Sequence, residues 1–89
     1  MKKVILFEGS DWCKSSRVVK SLVKEMADKF EDIKFVSVNV DTEEGAEESV
    51  KNKVRNVPVM IFRNDGKEIM RIKGKISKQE LLNKLESWK

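Results

Sequence analysis

The stretch Val4-Ile5-Leu6-Phe7-Glu8-Gly9-Ser10-Asp11-Trp12-Cys13-Lys14-Ser15-Ser16-Arg17 decides how the chain is read. Its first four residues form a continuous apolar run, the pattern of a strand buried on both faces. The run stops at Glu8, and from residue 14 the period changes. Val18, Val19, Leu22, Val23, Met26, Ala27 and Phe30 recur at three- and four-residue spacing, which predicts a helix over residues 14–30 with one wide apolar stripe. Lys20, Lys24, Glu25 and Asp28 lie off that stripe. The only cysteine, Cys13, falls at the junction between strand and helix.

Reading outward, Phe35-Val36-Ser37-Val38-Asn39-Val40 predicts a second strand with Val36, Val38 and Val40 on one face. Asp41, with Glu44 three residues on, predicts the cap of a short helix. That helix has Glu43, Glu44, Glu47 and Glu48 in its early turns and Lys51, Lys53 and Arg55 near its end, an order that complements the helix dipole. Val57-Pro58-Val59-Met60-Ile61-Phe62 predicts a third strand, with proline at its start where a missing N–H is tolerated. Asn64-Asp65-Gly66 is a hairpin signal, and residues 67–73 return as a fourth strand suited to a position nearer an edge. Ser77-Lys78-Gln79-Glu80 is a capping box flanked by Ile76 and Leu81 at the staple positions, and the last helix turns Leu81, Leu82, Leu85 and Trp88 inward. The order βαβ then αββα, without linker or repeat, predicts one α/β domain over residues 1–89, a mixed four-stranded sheet flanked by three helices.

Composition narrows the function. The chain of 89 residues has an ordinary globular composition and a high charged fraction of 38%. Lys2 and Lys3 precede an apolar run too short for a secretory signal, and no stretch approaches a membrane span, so a cytoplasmic location and no membrane partner are expected. The net charge of +4 comes from basic residues spread along the chain, which argues against nucleic acid as a partner. One cysteine cannot make an internal disulfide, and without histidine neither a metal site nor a Cys-His catalytic pair is expected. No cofactor is implied. Met60 and Met70 read as core gap-fillers.

Cys13 has two readings from its position. It is either an inert buried thiol, or a reactive one whose thiolate is stabilised by unpaired N–H groups and the positive end of the helix dipole. On the second reading the helix N-terminus lowers the pKa first, the Ser16 hydroxyl second, and Lys14 contributes a screened minor part.

Four features in register then resemble the thioredoxin family over nearly the whole chain: Trp12-Cys13-x-x-Ser16-Arg17, Val57-Pro58, Asn64-Asp65-Gly66-Lys67, and Gly74 followed by Ser77-Lys78-Gln79-Glu80-Leu81. The resemblance implies a thioredoxin-like fold and favours the reactive reading of Cys13, as the nucleophile that attacks a substrate disulfide. It implies that Trp12 shields the thiol and contacts substrate, although a plain core aromatic is the alternative. Pro58 would be cis and face Cys13, the Val57 backbone would pair with bound substrate, and Gly74 would leave a flat surface for it. The implied partners are disulfide-containing proteins and a thioredoxin-reductase-like enzyme. A monomer is expected, with a Cys13-linked dimer as the alternative.

The chain also departs from the family pattern. Ser16 stands where the second active-site cysteine is expected, and Lys14-Ser15 replaces Gly-Pro. Ser16 shares a helix face with Cys13; its hydroxyl can bond a thiolate but cannot resolve a mixed disulfide. The first strand and helix of longer thioredoxins have no counterpart. A buried aspartate and its lysine partner are replaced by Phe7 and Ser37, and Glu8 is expected on the other sheet face. The favoured expectation is a protein-disulfide oxidoreductase that stalls as an adduct, with Ser16 an engineered trapping change; a natural monothiol protein is the other origin. Two further alternatives stand. One is a redox-silent module holding an extended peptide around Trp12, Pro58 and Gly74. The other is a monothiol glutaredoxin-like protein using glutathione or an iron–sulfur cluster, against which the glutathione signature is missing after Gly74.

Overall fold

Seven elements follow one another along the chain: β1 (Lys2–Glu8), α1 (Lys14–Lys29), β2 (Ile33–Asn39), α2 (Glu43–Lys51), β3 (Val59–Asn64), β4 (Lys67–Lys73) and α3 (Lys78–Glu86). The computed structural model describes residues 1–88. The strands form one sheet in the order β2-β1-β3-β4, with β1–β2 parallel and the other two pairs antiparallel. This is the mixed four-stranded sheet with three helices that the element order predicts.

The central strands β1 and β3 are apolar on both faces, because each face of the sheet is covered. Val4, Leu6, Met60 and Phe62 join Val19, Val23 and Met26 of α1 and Leu81 and Leu85 of α3 in the larger core. Their neighbours Phe7, Val59 and Ile61 point the other way and pack with Ile5, Val38, Val40, Val54 and Val57. A fully buried aliphatic or aromatic side chain contributes about 1.5–3 kcal/mol, so these two layers dominate the stability. Met60 is buried and Met70 packs against the larger core, the gap-filling role expected of both.

Several boundaries and faces differ from the sequence reading. β2 starts at Ile33, two residues early, because Ile33 pairs with Lys2 across the parallel ladder. β3 starts at Val59, because Pro58 has no N–H and its carbonyl accepts from Gly74 at 2.8 Å. Val18 is 40% exposed: it lies at the margin of the α1 stripe, while Ser16, Val19, Val23 and Met26 face inward. Thr42, not Asp41, caps α2, its side chain accepting from Gly45 N–H at 2.9 Å. At α3 the expected cap holds: Ser77 Oγ accepts from Glu80 N–H at 3.2 Å. Trp88 lies just past α3, half-buried, with its ring 5.4 Å from that of Phe62.

Candidate active site

Cys13 is placed by a tight turn at the end of β1. The Gly9 carbonyl accepts from Trp12 N–H at 3.1 Å and from Cys13 N–H at 2.8 Å. Cys13 then serves as the N-cap of α1, in extended conformation with φ −107° and ψ 110°. No acidic side chain occupies the first turn, so the N–H groups and dipole of the helix end are left to the thiol. Ser16 is completely buried, and its Oγ accepts from Gly9 N–H at 3.1 Å.

These groups hold the Cys13 thiol below its ordinary pKa. The Ser16 hydroxyl is the leading cause and the Ser16 backbone N–H the second; partial burial opposes them, and Ser15 N–H and the Arg17 charge add to the lowering. This reorders the expectation. The hydroxyl leads and the N–H groups of the helix end follow. Arg17, not Lys14, is the cation that contributes.

The opposite wall comes from the segment before β3. The Val57-Pro58 peptide bond is cis, as the resemblance implies. The Val57 carbonyl oxygen lies 3.9 Å from Cys13 Sγ, within reach of the thiol proton. Neither polar group of the Val57 backbone belongs to the sheet, since β3 begins two residues later. Gly74, just after β4, donates its N–H to the Pro58 carbonyl and has φ +84°, a conformation that glycine adopts without steric cost. A Cβ there would meet nothing within 4 Å, so Gly74 faces open space beside the proline.

Trp12 is 62% exposed, which rules out a plain core aromatic. Its indole N–H donates to Asp41 Oδ2 at 2.6 Å. The ring lies over Gly9, where a Cβ would come within 2.7 Å of ring atoms. Trp12, Val54 and Val57 border an open cleft of about 350 Å³.

Phe7 packs in the smaller core and Ser37 is exposed, so this chain has no Asp–Lys pair at those positions. Glu8 lies on the α1 side, as alternation along β1 requires, and is 1% exposed. Its carboxylate accepts from Ser10 N–H at 2.6 Å and lies 3.4 Å from Lys20 Nζ. Burial pushes its pKa up, but the Ser10 bonds and the Lys20 charge outweigh that and hold it below the ordinary value. Glu8 is therefore ionised at neutral pH and braces the turn.

Cys13 and Val57 thus meet in one place, with Ser16 beneath on the same helix, Pro58 and Gly74 along one wall, and the Trp12 ring over Gly9. Sequence reasoning missed two contributors. Gly9 supplies both the carbonyl that bends the chain and the N–H that fixes Ser16; a glycine four residues before a cysteine was the available signal. Asp41 anchors the Trp12 indole instead of capping α2, and no local pattern announces that contact across 29 positions.

The similarity to known proteins runs the length of the chain. The family model described as Thioredoxin matches residues 1–87. Thioredoxin H-type of Fagopyrum esculentum is 33% identical over 84 residues, covering 94% of this chain and 70% of that protein. Thioredoxin of Mycoplasmoides gallisepticum is 34% identical over 80 residues, covering 90% of this chain and 78% of that protein. The X-ray structure of Fasciola hepatica thioredoxin is similar with a TM-score of 0.85 at 28% identity, covering 99% of this chain and 81% of that one. With that match and a cysteine capping the first helix beside a cis-proline, the chain belongs to the thioredoxin family of thiol–disulfide oxidoreductases, as a member that retains a single active-site cysteine.

Proposed function

We propose that this protein exchanges disulfides with protein substrates through Cys13 and, having no second thiol, holds each substrate as a mixed disulfide. The observation that carries the reading is the setting of the sole thiol. It caps a helix whose first turn has no acid, has its pKa lowered first by the buried Ser16 hydroxyl, and faces the Val57 carbonyl. A thiolate stabilised by the Ser16 hydroxyl and the N–H groups of the helix end attacks one sulfur of the substrate disulfide. The Cys13–sulfur bond forms as the substrate bond breaks, and the departing thiolate takes a proton from water. The hydroxyl of Ser16 cannot attack the new bond, so turnover waits for an external thiol.

The surrounding residues take the roles that the family pattern suggests. Val57 offers backbone groups outside the sheet to an extended substrate strand. Pro58 and Gly74 form the surface on which that strand lies, and Trp12 covers the side of the thiol away from them. The substrates are disulfide-containing proteins in the cytoplasm, and a thioredoxin-reductase-like enzyme is the partner of a form carrying cysteine at position 16. The intact Arg17 and the rest of the motif favour an engineered trapping change at Ser16 over a natural monothiol protein.

Ser16→Cys tests the reading. The protein as it stands accumulates a Cys13 adduct, seen by mass, that an added thiol reverses. Ser16→Cys gains multiple-turnover insulin reduction driven by a dithiol. No adduct on the former and no gain in the latter would favour a redox-silent peptide-binding module.

A further inference from the structure

An open cleft of about 380 Å³ continues from the active site, and Val57, Pro58 and Gly74 form one side of it. Lys53, Arg55, Arg71 and Lys73 line it with Val54, Asn56 and Val59, and no carboxylate does. Along the chain these four are scattered over about twenty positions; the fold gathers them between the segment after α2 and the end of β4.

They are not equivalent. Arg71 is neutralised by Glu68, with Nε and Nη2 each 2.9 Å from a carboxylate oxygen. Its Nη2 also donates to the Asn52 carbonyl at 2.9 Å, and its Nη1 to that of Lys53 at 3.4 Å. Arg71 thereby holds the loop in place. Lys53, Arg55 and Lys73 are exposed, and none makes an ion pair among the described residues. Lys53 even occupies the left-handed position that closes α2, at φ 57°, with Lys53 N–H on Val50 O and Val54 N–H on Ser49 O. Glycine is the favoured residue there, and a lysine stands in it at a steric cost.

We infer that this cleft recognises an acidic polypeptide segment flanking the target disulfide, its carboxylates reaching Lys53, Arg55 and Lys73 while the half-cystine lies against Cys13. The inference rests on the proposed role of Cys13 and adds the substrate class. The three cations are exposed and come from two segments of the chain, the one after α2 and the end of β4. That arrangement suits several carboxylates spaced along an extended chain better than one compact anion. Charge complementarity of this exposed kind acts chiefly by steering encounter, so it selects partners by rate and weakens with salt.

The test compares two synthetic peptides, each carrying its cysteine as a mixed disulfide with thiopyridine. One has aspartate and glutamate around the cysteine, the other lysine. Attack by Cys13 on the peptide sulfur releases thiopyridone, which is followed by absorbance. At low salt the acidic peptide reacts about tenfold faster than the basic one. The advantage collapses in about 1 M sodium chloride, where the Debye length is about 3 Å. Lys53→Gln, Arg55→Gln and Lys73→Gln each slow the acidic peptide about two- to threefold, and the triple variant loses the preference. Neutral dithiodipyridine reacts alike with all of them, which shows that Cys13 is intact. Equal rates for the two peptides, or a preference that survives in the triple variant, would overturn the inference. So would a preference for glutathione disulfide that depends on the same three cations, which would make the cleft a small-molecule site. Failure of dithiodipyridine to react would instead overturn the role of Cys13. Alanine-for-cysteine forms of the peptides, titrated by tryptophan fluorescence, then decide the charge preference alone.

Discussion

Replacing Ser16 with alanine removes one oxygen that serves two partners. Ser16 Oγ accepts from Gly9 N–H at 3.1 Å, and its hydroxyl is the leading cause of the lowered Cys13 pKa. The side chain is fully buried, so water does not take its place. The variant leaves the buried Gly9 N–H without its acceptor, which costs about 1–3 kcal/mol; alanine is nearly as large as serine, so the cavity contribution is small. For a domain of this size each kcal/mol moves the melting temperature by about 4–8 °C, and a fall of about 10 °C is expected. The thiol pKa rises in the same variant but stays below its ordinary value, because the N–H groups of Ser15 and Ser16 and the Arg17 charge remain. Between the lowered folded value and the ordinary one of about 8.5, the folded thiol is ionised and the unfolded thiol is protonated, so stability rises with pH. That contribution is complete above the ordinary value and is lost as pH falls through the folded one. Ser16→Ala narrows the window, and Cys13→Ser removes it and supplies the baseline. Thiolate absorbance against pH gives the midpoint, and melts across the same range give the linkage. A midpoint in Ser16→Ala no higher than in the parent would refute the role given to the hydroxyl. An unchanged melting temperature would refute the role given to the Gly9 bond.

Gly45→Ala should destabilise by about 2 kcal/mol or more, despite the helix propensity of about 1 kcal/mol that favours alanine. A Cβ there would sit 1.8 Å from the Asn39 carbonyl oxygen, a backbone atom that moves only if β2 does, and a denaturant titration reads the loss. Glu8→Gln keeps an acceptor for Ser10 N–H but loses the Lys20 charge, and should cost about 1–2 kcal/mol at neutral pH given that Lys20 is partly exposed. The folded Glu8 pKa is lowered, so its contribution is present above the ordinary carboxylate value of about 4.3 and is lost as pH falls through the folded value. Glu8→Gln should therefore flatten the acid limb of the stability curve, and an acid limb identical to the parent's would contradict the assignment.

The order of elements, the mixed sheet, the cap at Ser77 and the place of Cys13 at the start of a helix were all legible in the sequence. They rest on local signals. Apolar residues at three- and four-residue spacing mark a helix, a short continuous apolar run marks a doubly covered strand, and a thiol at their junction meets the free N–H groups of a helix end. Contacts between distant segments decided the rest. Ile33 joined β2 because Lys2 lay opposite it, and β3 began after Pro58 because Gly74 took the Pro58 carbonyl. Asp41 left the α2 cap to Thr42 and turned to Trp12. Lys53, Arg55 and Lys73, unremarkable along the chain, came to line one cleft with Val57, Pro58 and Gly74. The period of a helix or strand is encoded by neighbours a few residues apart. Which side chains meet across a cleft depends on how whole elements pack, and no short window of sequence contains that.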